Sequence, residues 1–176
     1  MNDICAKEKI KLAIETKINM LNSIKNNINL KELASFDYNS IENLNQAIDD
    51  YLNIGVKLPC LYIIQINKNL ELSYVKNKKE QYKKNVALFK INEENFNDKN
   101  NKCLYVGSSH NIKKRIKEHL GTAGSNKTYA LHLKQWIDDD VKFQIHIFKT
   151  EDINLQLFED LLWDLYKPLL GRKGAK

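Results

Sequence analysis

Apolar residues recur along this chain with two different periods, and each period predicts a different kind of element. Over residues 7–28 they fall at every third or fourth position, which is the spacing of one face of a helix. The spacing returns over residues 40–53, where Asn39 or Ser40 is a suitable helix cap. These segments predict a helical hairpin over residues 1–57. Its mixed charges leave two roles open: it covers the core of the protein, or it takes part in dimerisation or DNA contact.

Shorter apolar runs predict three strands. Pro59 precedes the first run, residues 60–66, at a strand start where a missing backbone donor does least harm. The second run, residues 103–107, repeats the beginning of the first, with a tyrosine two positions after a cysteine. Residues 141–147 alternate between apolar and polar side chains, as a half-buried strand does. The predicted fold is therefore α+β, with a small three-stranded sheet, mixed or antiparallel, flanked by helices.

Three helices are predicted around these strands. A basic helix follows Asn111, residues 129–137 form a second helix, and residues 154–166 form the last one. Pro168 comes directly after the last helix and ends it, because a proline cannot continue the helical hydrogen bonds.

Residues 67–102 form a polar, lysine-rich insertion between the first two strands. A connection of this length is rarely without structure, so we expect it to be partly helical, with a short strand at 86–91. Its basic run at 76–84 is either a solvated face or a functional one. The predicted organisation is thus the hairpin extension, one domain over residues 58–171 that contains the insertion, and a basic tail at 172–176.

Composition narrows the class of protein. With 176 residues, 43% hydrophobic and 28% charged, the chain has the length and balance of one globular domain. No apolar run approaches the roughly 20 residues that a membrane helix needs, and the first residues lack a secretory signal, so we expect a cytoplasmic protein. Three cysteines without a CxxC pair argue against a disulfide framework or a zinc knuckle.

The net charge of +6 is compatible with a polyanionic partner. The chain is also crowded with Lys, Asn and Ile, a bias that an AT-rich genome produces without selection for binding. The local placement of charge must therefore carry the functional argument.

The stretch from Tyr105 to His119 concentrates candidate chemistry. Its Gly-Ser-Ser turn leaves backbone donors free for an anion at the start of the basic helix. On a helical wheel, Arg115 and His119 lie together along one edge of the apolar stripe, whereas the lysines lie further round with Glu118. Arg115 and His119 are candidates for chemistry or for a surface ion pair with Glu118. The candidates for contact with backbone phosphates are Ser108, Ser109, Lys113, Lys114 and Lys117.

Glu159 stands out in the last helix because it falls on the apolar face, among residues such as Leu155 and Leu162. Desolvating a lone carboxylate costs several kcal/mol, so Glu159 should meet a metal ion or a buried basic residue. A salt bridge to Arg115 is the structural alternative. Tyr62 and Tyr105 have similar frames in their strands, which suggests that both hydroxyls point into one cleft, although strand tyrosines usually pack with the hydroxyl at the surface.

The twin strands, the basic helix and the late glutamate together resemble the GIY-YIG nuclease family. In that family two tripeptides on neighbouring strands are followed by a helix with Arg and His and later by a glutamate. The resemblance runs from about residue 59 to residue 170 and is most specific over residues 105–119. Three features depart from the pattern: Cys60 stands in place of the first glycine, the spacer to Tyr105 is long, and Gly171 stands where many members have an asparagine.

This resemblance implies an endonuclease that hydrolyses phosphodiester bonds in DNA, with duplex DNA as the expected partner. It implies one divalent ion, Mg²⁺ or Mn²⁺, held by Glu159, whose oxygen ligands suit a hard cation. The implied catalytic residues are Tyr62 as the base-like group, Tyr105 as its orienting neighbour, Arg115 on the phosphate charge, His119 and Glu159. Two alternatives stay open: a catalytically inactive nucleic-acid-binding module of the same fold, and an interaction protein whose hairpin forms a homodimer.

Overall fold

A computed structural model gives the protein's architecture. It describes residues 31–38, 40–52, 58–82, 89–123, 129–150 and 155–174, together with Glu8, Lys11, Leu12, Glu15, Ile18 and Asn19. The chain divides into two compact units, Met1–Leu30 and Lys31–Lys176. The six described residues of the first unit are helical, as predicted, and the rest of the helix predicted at 7–28 lies outside the described residues. No helix among the described residues is both long and apolar enough to cross a membrane.

The second unit is built on one antiparallel sheet with four strands. These are β1 (Lys31–Tyr38), β2 (Cys60–Ile66), β3 (Cys103–Ser109) and β4 (Phe143–Lys149), in the order β1-β4-β2-β3. The three predicted strands are present and all pair antiparallel, which confirms the α+β fold. Strand β1 was not predicted. It lies between the two segments of the predicted hairpin and takes its strand conformation from pairing with β4.

Four α-helices surround the sheet: α1 (Ile41–Tyr51), α2 (Leu72–Gln81), α3 (Ile112–Leu120) and α4 (Leu155–Tyr166). The second segment of the predicted hairpin is α1, which Ser40 caps by accepting a hydrogen bond from the Asn43 N–H at 3.2 Å. The insertion is partly helical, as predicted, because it contains α2 and a 3₁₀ turn at Glu93–Asn97. The described part of its predicted strand contains an isolated bridge between Ile91 and Leu170.

The prediction of a helix at residues 129–137 is wrong. Only Leu133–Gln135 forms a short 3₁₀ turn. His132 has a left-handed backbone with φ of 51°, which interrupts a helix, and the Leu131 carbonyl accepts the indole N–H of Trp136 at 2.7 Å. The apolar residues of this segment are nevertheless buried as predicted, since Leu131 and Leu133 are fully inaccessible.

Core side chains occupy both faces of the sheet, and helices α3 and α4 pack on opposite faces. Ile116 and Leu120 of α3 belong to the larger core, on the same face as Tyr62. Leu162 and Tyr166 of α4 pack on the opposite face. Strand β3 is an edge strand, and α3 and α4 pack against its two faces.

The start of this outer edge is covered by the segment after α4. The N–H groups of Leu169 and Leu170 donate to the carbonyls of Cys103 and Leu104 at 2.9 and 3.0 Å. The side chains of Asn92 and Asn95 both donate to the Pro168 carbonyl at 2.9 Å. The insertion and the end of the chain are thereby joined beside β3.

Candidate active site

Tyr62 and Tyr105 lie side by side on β2 and β3. Their rings stack, with centroids 5.9 Å apart and an interplanar angle of 19°. Gly107 is the register partner of Tyr62. A Cβ at position 107 would lie 2.5 Å from the Tyr62 hydroxyl oxygen and 2.6 Å from the Tyr105 ring, closer than atoms can approach. Only glycine leaves room for the two rings to stack here.

His119 forms a hydrogen bond with the Tyr62 hydroxyl. Its Nε2 lies 2.9 Å from the Tyr62 oxygen, and its Nδ1 accepts the Leu131 backbone N–H at 3.2 Å. Because a backbone N–H can only donate, the neutral imidazole carries its proton on Nε2 and donates it to Tyr62. Complete burial, and then the charge of Arg115, hold the pKa of His119 well below its usual range. His119 is therefore neutral and fixes the orientation of Tyr62.

Arg115 is paired with Glu118 inside the protein. The guanidinium Nη1 lies 3.1 Å from Glu118 Oε2, and the Glu118 side chain is 5% exposed. The wheel placed Glu118 further round the helix with the lysines, and the expected alternative was a surface ion pair. The turn at Leu133–Gln135 packs against α3. The ion pair considered from the sequence thus exists, but it is buried rather than on the surface.

Glu159 has no such partner. Its side chain is 9% exposed, and its Oε2 accepts the Ser108 hydroxyl at 2.5 Å. Among the described residues it forms no ion pair, since Arg115 is engaged by Glu118 instead. Burial raises the pKa of Glu159, and the hydrogen bond from Ser108 opposes that rise. The charge of Arg115 also opposes the rise, but within the described part of the chain the buried carboxylate forms no ion pair.

One cleft of about 580 Å³ joins these groups. Tyr105, Ser108, Arg115 and Glu159 line it together. The remaining lining comes from Phe89, Lys90, Tyr129, Gln156 and residues 171–174. Tyr62 is fully buried behind Tyr105. The structure therefore brings all five predicted catalytic residues to one place, with Tyr105, Arg115 and Glu159 facing the cleft.

Residues 95–173 match the family model of the GIY-YIG catalytic domain. The chain carries a GIY-YIG nuclease domain. Nucleases of this family generally depend on a divalent metal ion, and a nuclease domain implies a nucleic acid as substrate. Comparison with curated proteins and with solved structures gave no match.

The residues that match the GIY-YIG domain begin after Tyr62, so only the geometry of the sheet connects this tyrosine with the other candidate residues. Tyr105, Arg115, His119 and Glu159 all lie within the matched residues. Tyr62 joins them because β2 pairs with β3 and sets its ring against that of Tyr105.

The predicted phosphate contacts are mostly directed elsewhere in this GIY-YIG domain. Lys113 and Lys117 bind Asp49 of α1, at 3.1 and 2.6 Å. The Ser109 hydroxyl accepts the Asn111 N–H at 3.0 Å. The lining of the cleft includes neither these three residues nor Lys114, whose side chain is exposed. Of the five candidates, the structure brings only Ser108 to the cleft.

Two residues that reasoning from the sequence missed also belong to the cleft of the GIY-YIG domain. Arg172 was assigned to the basic tail, and Tyr129 to a helix, yet both line the cleft. No spacing in the sequence connects them, because they are brought together only when the end of the chain returns to β3.

Proposed function

We propose that this GIY-YIG domain is a metal-dependent endonuclease that hydrolyses phosphodiester bonds in duplex DNA. The observation that supports this most is Glu159, a buried carboxylate that forms no ion pair among the described residues and lines the same cleft as Arg115. A binding module has no use for an unpaired buried carboxylate, because the desolvation cost is recovered only when a cation binds.

The residues present fit one divalent ion, Mg²⁺ or Mn²⁺. A glutamate oxygen is a hard ligand of the kind that Mg²⁺ prefers, and Mg²⁺ keeps several waters and substrate oxygens in its shell. A single protein carboxylate agrees with that habit, and the described residues hold no cluster of three His, Cys, Asp or Glu side chains that would suit zinc. When bound beside Glu159, the ion supplies positive charge to the phosphate and to the leaving oxygen.

Arg115 is the protein's own charge for the phosphate. Its side chain is 20% exposed and lines the cleft, while Glu118 fixes one nitrogen of the guanidinium. The guanidinium also forms hydrogen bonds with the Tyr62 and Tyr105 hydroxyls. Its N–H groups that face the cleft can donate to non-bridging oxygens, whose charge grows in the transition state. Glu118 acts as a positioning residue in this arrangement.

The tyrosines are proposed to handle the attacking water. Tyr105 lines the cleft and Tyr62 lies behind it, so water meets Tyr105 first. This favours Tyr105 for contact with water and Tyr62 with His119 as its support, the reverse of the order preferred from the sequence. Burial raises the pKa of both hydroxyls, and the charge of Arg115 opposes the rise. Cleavage is therefore expected to become faster as the pH increases.

A cleavage screen on the full chain tests the proposal. Supercoiled plasmid, branched DNA and RNA are incubated with Mg²⁺, with Mn²⁺ or with a chelator. We expect cleavage of DNA with either ion, none with the chelator, and a loss of at least about 10²-fold in Glu159→Gln. Asp164→Asn is the matched control, because Asp164 is an exposed carboxylate of the same helix that pairs with Lys173.

Circular dichroism confirms that both variants are folded. Full activity in folded Glu159→Gln, or in the presence of the chelator, contradicts the proposed function. Binding to DNA without cleavage under any divalent ion favours the inactive nucleic-acid-binding module instead.

A further inference from the structure

Arg172 and Tyr129 face each other within the cleft lining. The guanidinium carbon of Arg172 lies 5.0 Å from the centroid of the Tyr129 ring. Both residues line the cleft that contains Glu159. The Tyr129 side chain is 53% exposed, so the ring is open to solvent and to a ligand. The pair therefore stands where a substrate would enter.

The position of Arg172 is fixed by the residue before it. Gly171 has φ of +107°, and its N–H donates to the Lys90 carbonyl at 2.9 Å. A Cβ at position 171 would lie 2.7 Å from the Tyr105 ring, so the backbone here lies directly against that tyrosine. Arg172 thus begins one residue from the ring that lines the cleft.

Tyr129 is also held close to the candidate catalytic residues, through a contact between its neighbour Leu131 and His119. It precedes Leu131 by two residues, and the Leu131 N–H donates to His119. Neither Tyr129 nor Arg172 is on a distant loop, since each is within two residues of a contact to Tyr105 or His119. The contacts to Tyr105 and His119 therefore hold the segments that carry Arg172 and Tyr129 in place.

Arg172 differs from its basic neighbours because no carboxylate neutralises it within the described part of the chain. Lys173 pairs with Asp164, and Lys113 and Lys117 pair with Asp49. Arg172 is held by an aromatic face alone. A cation–π contact at an exposed site is weak, whereas an Arg–phosphate pair is charge-assisted and bidentate. A phosphate in the cleft would therefore compete successfully with the Tyr129 ring for the Arg172 guanidinium.

We infer that Arg172 binds a backbone phosphate of the nucleic-acid substrate, and that Tyr129 is a positioning residue that holds it over the cleft beforehand. This inference rests on the proposed function, because it assumes that the substrate's backbone enters this cleft. Arg172 is thus a second cationic contact in the cleft beside Arg115, and it comes from the segment after α4 rather than from α3.

Binding of a fluorescent DNA duplex, followed by anisotropy over a range of salt concentrations, tests the inference. All proteins are full-length chains that carry Glu159→Gln, so that no cleavage disturbs the titration. We expect Arg172→Gln to weaken binding by about tenfold and to lower the salt slope by about one. Lys76→Gln, at a lysine that pairs with Glu93 and does not line the cleft, should change the slope much less.

Tyrosine variants test the positioning role. Tyr129→Leu should raise the KM for DNA cleavage while kcat changes little, and Tyr129→Phe should restore KM, because the ring rather than the hydroxyl meets the guanidinium. Equal KM values for the Leu and Phe variants would contradict this role.

The binding readout separates the inference from the proposed function. If the unsubstituted chain fails to cleave DNA, the proposed function is wrong, and the comparison of salt slopes still reports on Arg172. If the unsubstituted chain cleaves DNA while Arg172→Gln and Lys76→Gln lower the slope equally, the inference about Arg172 is overturned.

Discussion

Helix α3 has two sides that carry the same kinds of residue in different surroundings. On the inner side, Arg115 and His119 are held by Glu118, Tyr62 and a backbone amide, and the carboxylate of Glu118 is buried. On the outer side, lysines of α3 bind Asp49, which is partly exposed to water. Basic residues only two positions apart thus have different roles.

The difference lies in the partner and in access to the cleft, because the side chains of Arg115 and Lys117 are similarly exposed, at 20% and 22%. The carboxylate of Asp49 is 36% exposed, and an ion pair in contact with water is screened and contributes little. Arg115 stays charged because a guanidinium does not lose its proton in proteins, and beside the buried Glu118 its field is screened less than in water. The inner side is therefore suited to chemistry, and the outer side to docking α1 on α3.

The largest expected effect comes from exchanging charge on the inner side. Arg115→Gln should lower the rate of DNA cleavage by about 10²- to 10³-fold, because it removes a donor to the charge that develops on the phosphate. Lys117→Gln is the matched change on the outer side and should leave the rate within about threefold. Single-turnover cleavage assays measure both. Equal losses in the two variants would mean that the two sides do not differ in function.

The two sides could be distinguished only in part from the sequence. The helical wheel correctly placed Arg115 and His119 at the edge of the apolar stripe. It did not anticipate the burial of Glu118, because a wheel gives the direction of a side chain but not what the rest of the chain places over it. The pairing of Lys117 with Asp49 could not be predicted either, since the two residues are separated by 68 positions.

Burial also explains which other features could be predicted correctly from the sequence. The twin strands were found because burial imposes a regular pattern on apolar residues, and Glu159 was found because it breaks such a pattern. Strand β1 was missed because an edge strand has a weaker pattern of its own and follows the pairing that β4 offers. Local pattern predicts elements, whereas long-range pairing decides what the charges meet.

A middle-sized effect is expected in the dependence of stability on pH. Burial, and then Arg115, hold the pKa of His119 below the value of about 6.5 that it has when unfolded. As the pH falls below that value, the unfolded chain takes up a proton that the folded protein refuses. The free energy of unfolding should therefore decrease by about 1.4 kcal/mol per pH unit in this window.

Urea unfolding between about pH 7 and about pH 5 measures this decrease in the free energy of unfolding. His119→Gln should make the decrease shallower. Burial also lowers the pKa of His132, so His132→Asn is the comparison that leaves the His119 contribution in place. An unchanged pH dependence in His119→Gln would show that this imidazole is not held neutral by the fold.

The smallest effect is expected on the outer side. Asp49→Asn frees Lys113 and Lys117 from their carboxylate, so the affinity for a DNA duplex should rise by about two- to threefold, with a steeper salt dependence. Asp50→Asn is the matched control, because Asp50 accepts a hydrogen bond from Gln46 within α1. If both variants bind DNA alike, the two lysines do not reach the substrate even when they are released.

The contact between Gly171 and Tyr105 has a consequence for synthesis of the protein. The lining of the cleft comes from β3 and α3 and also from α4 and the segment that follows Pro168. A chain still emerging from the ribosome therefore has β3 and α3 long before it has α4 and Arg172. If the domain cuts DNA as proposed, cutting must wait until residues 155–172 have been made and have folded against β3.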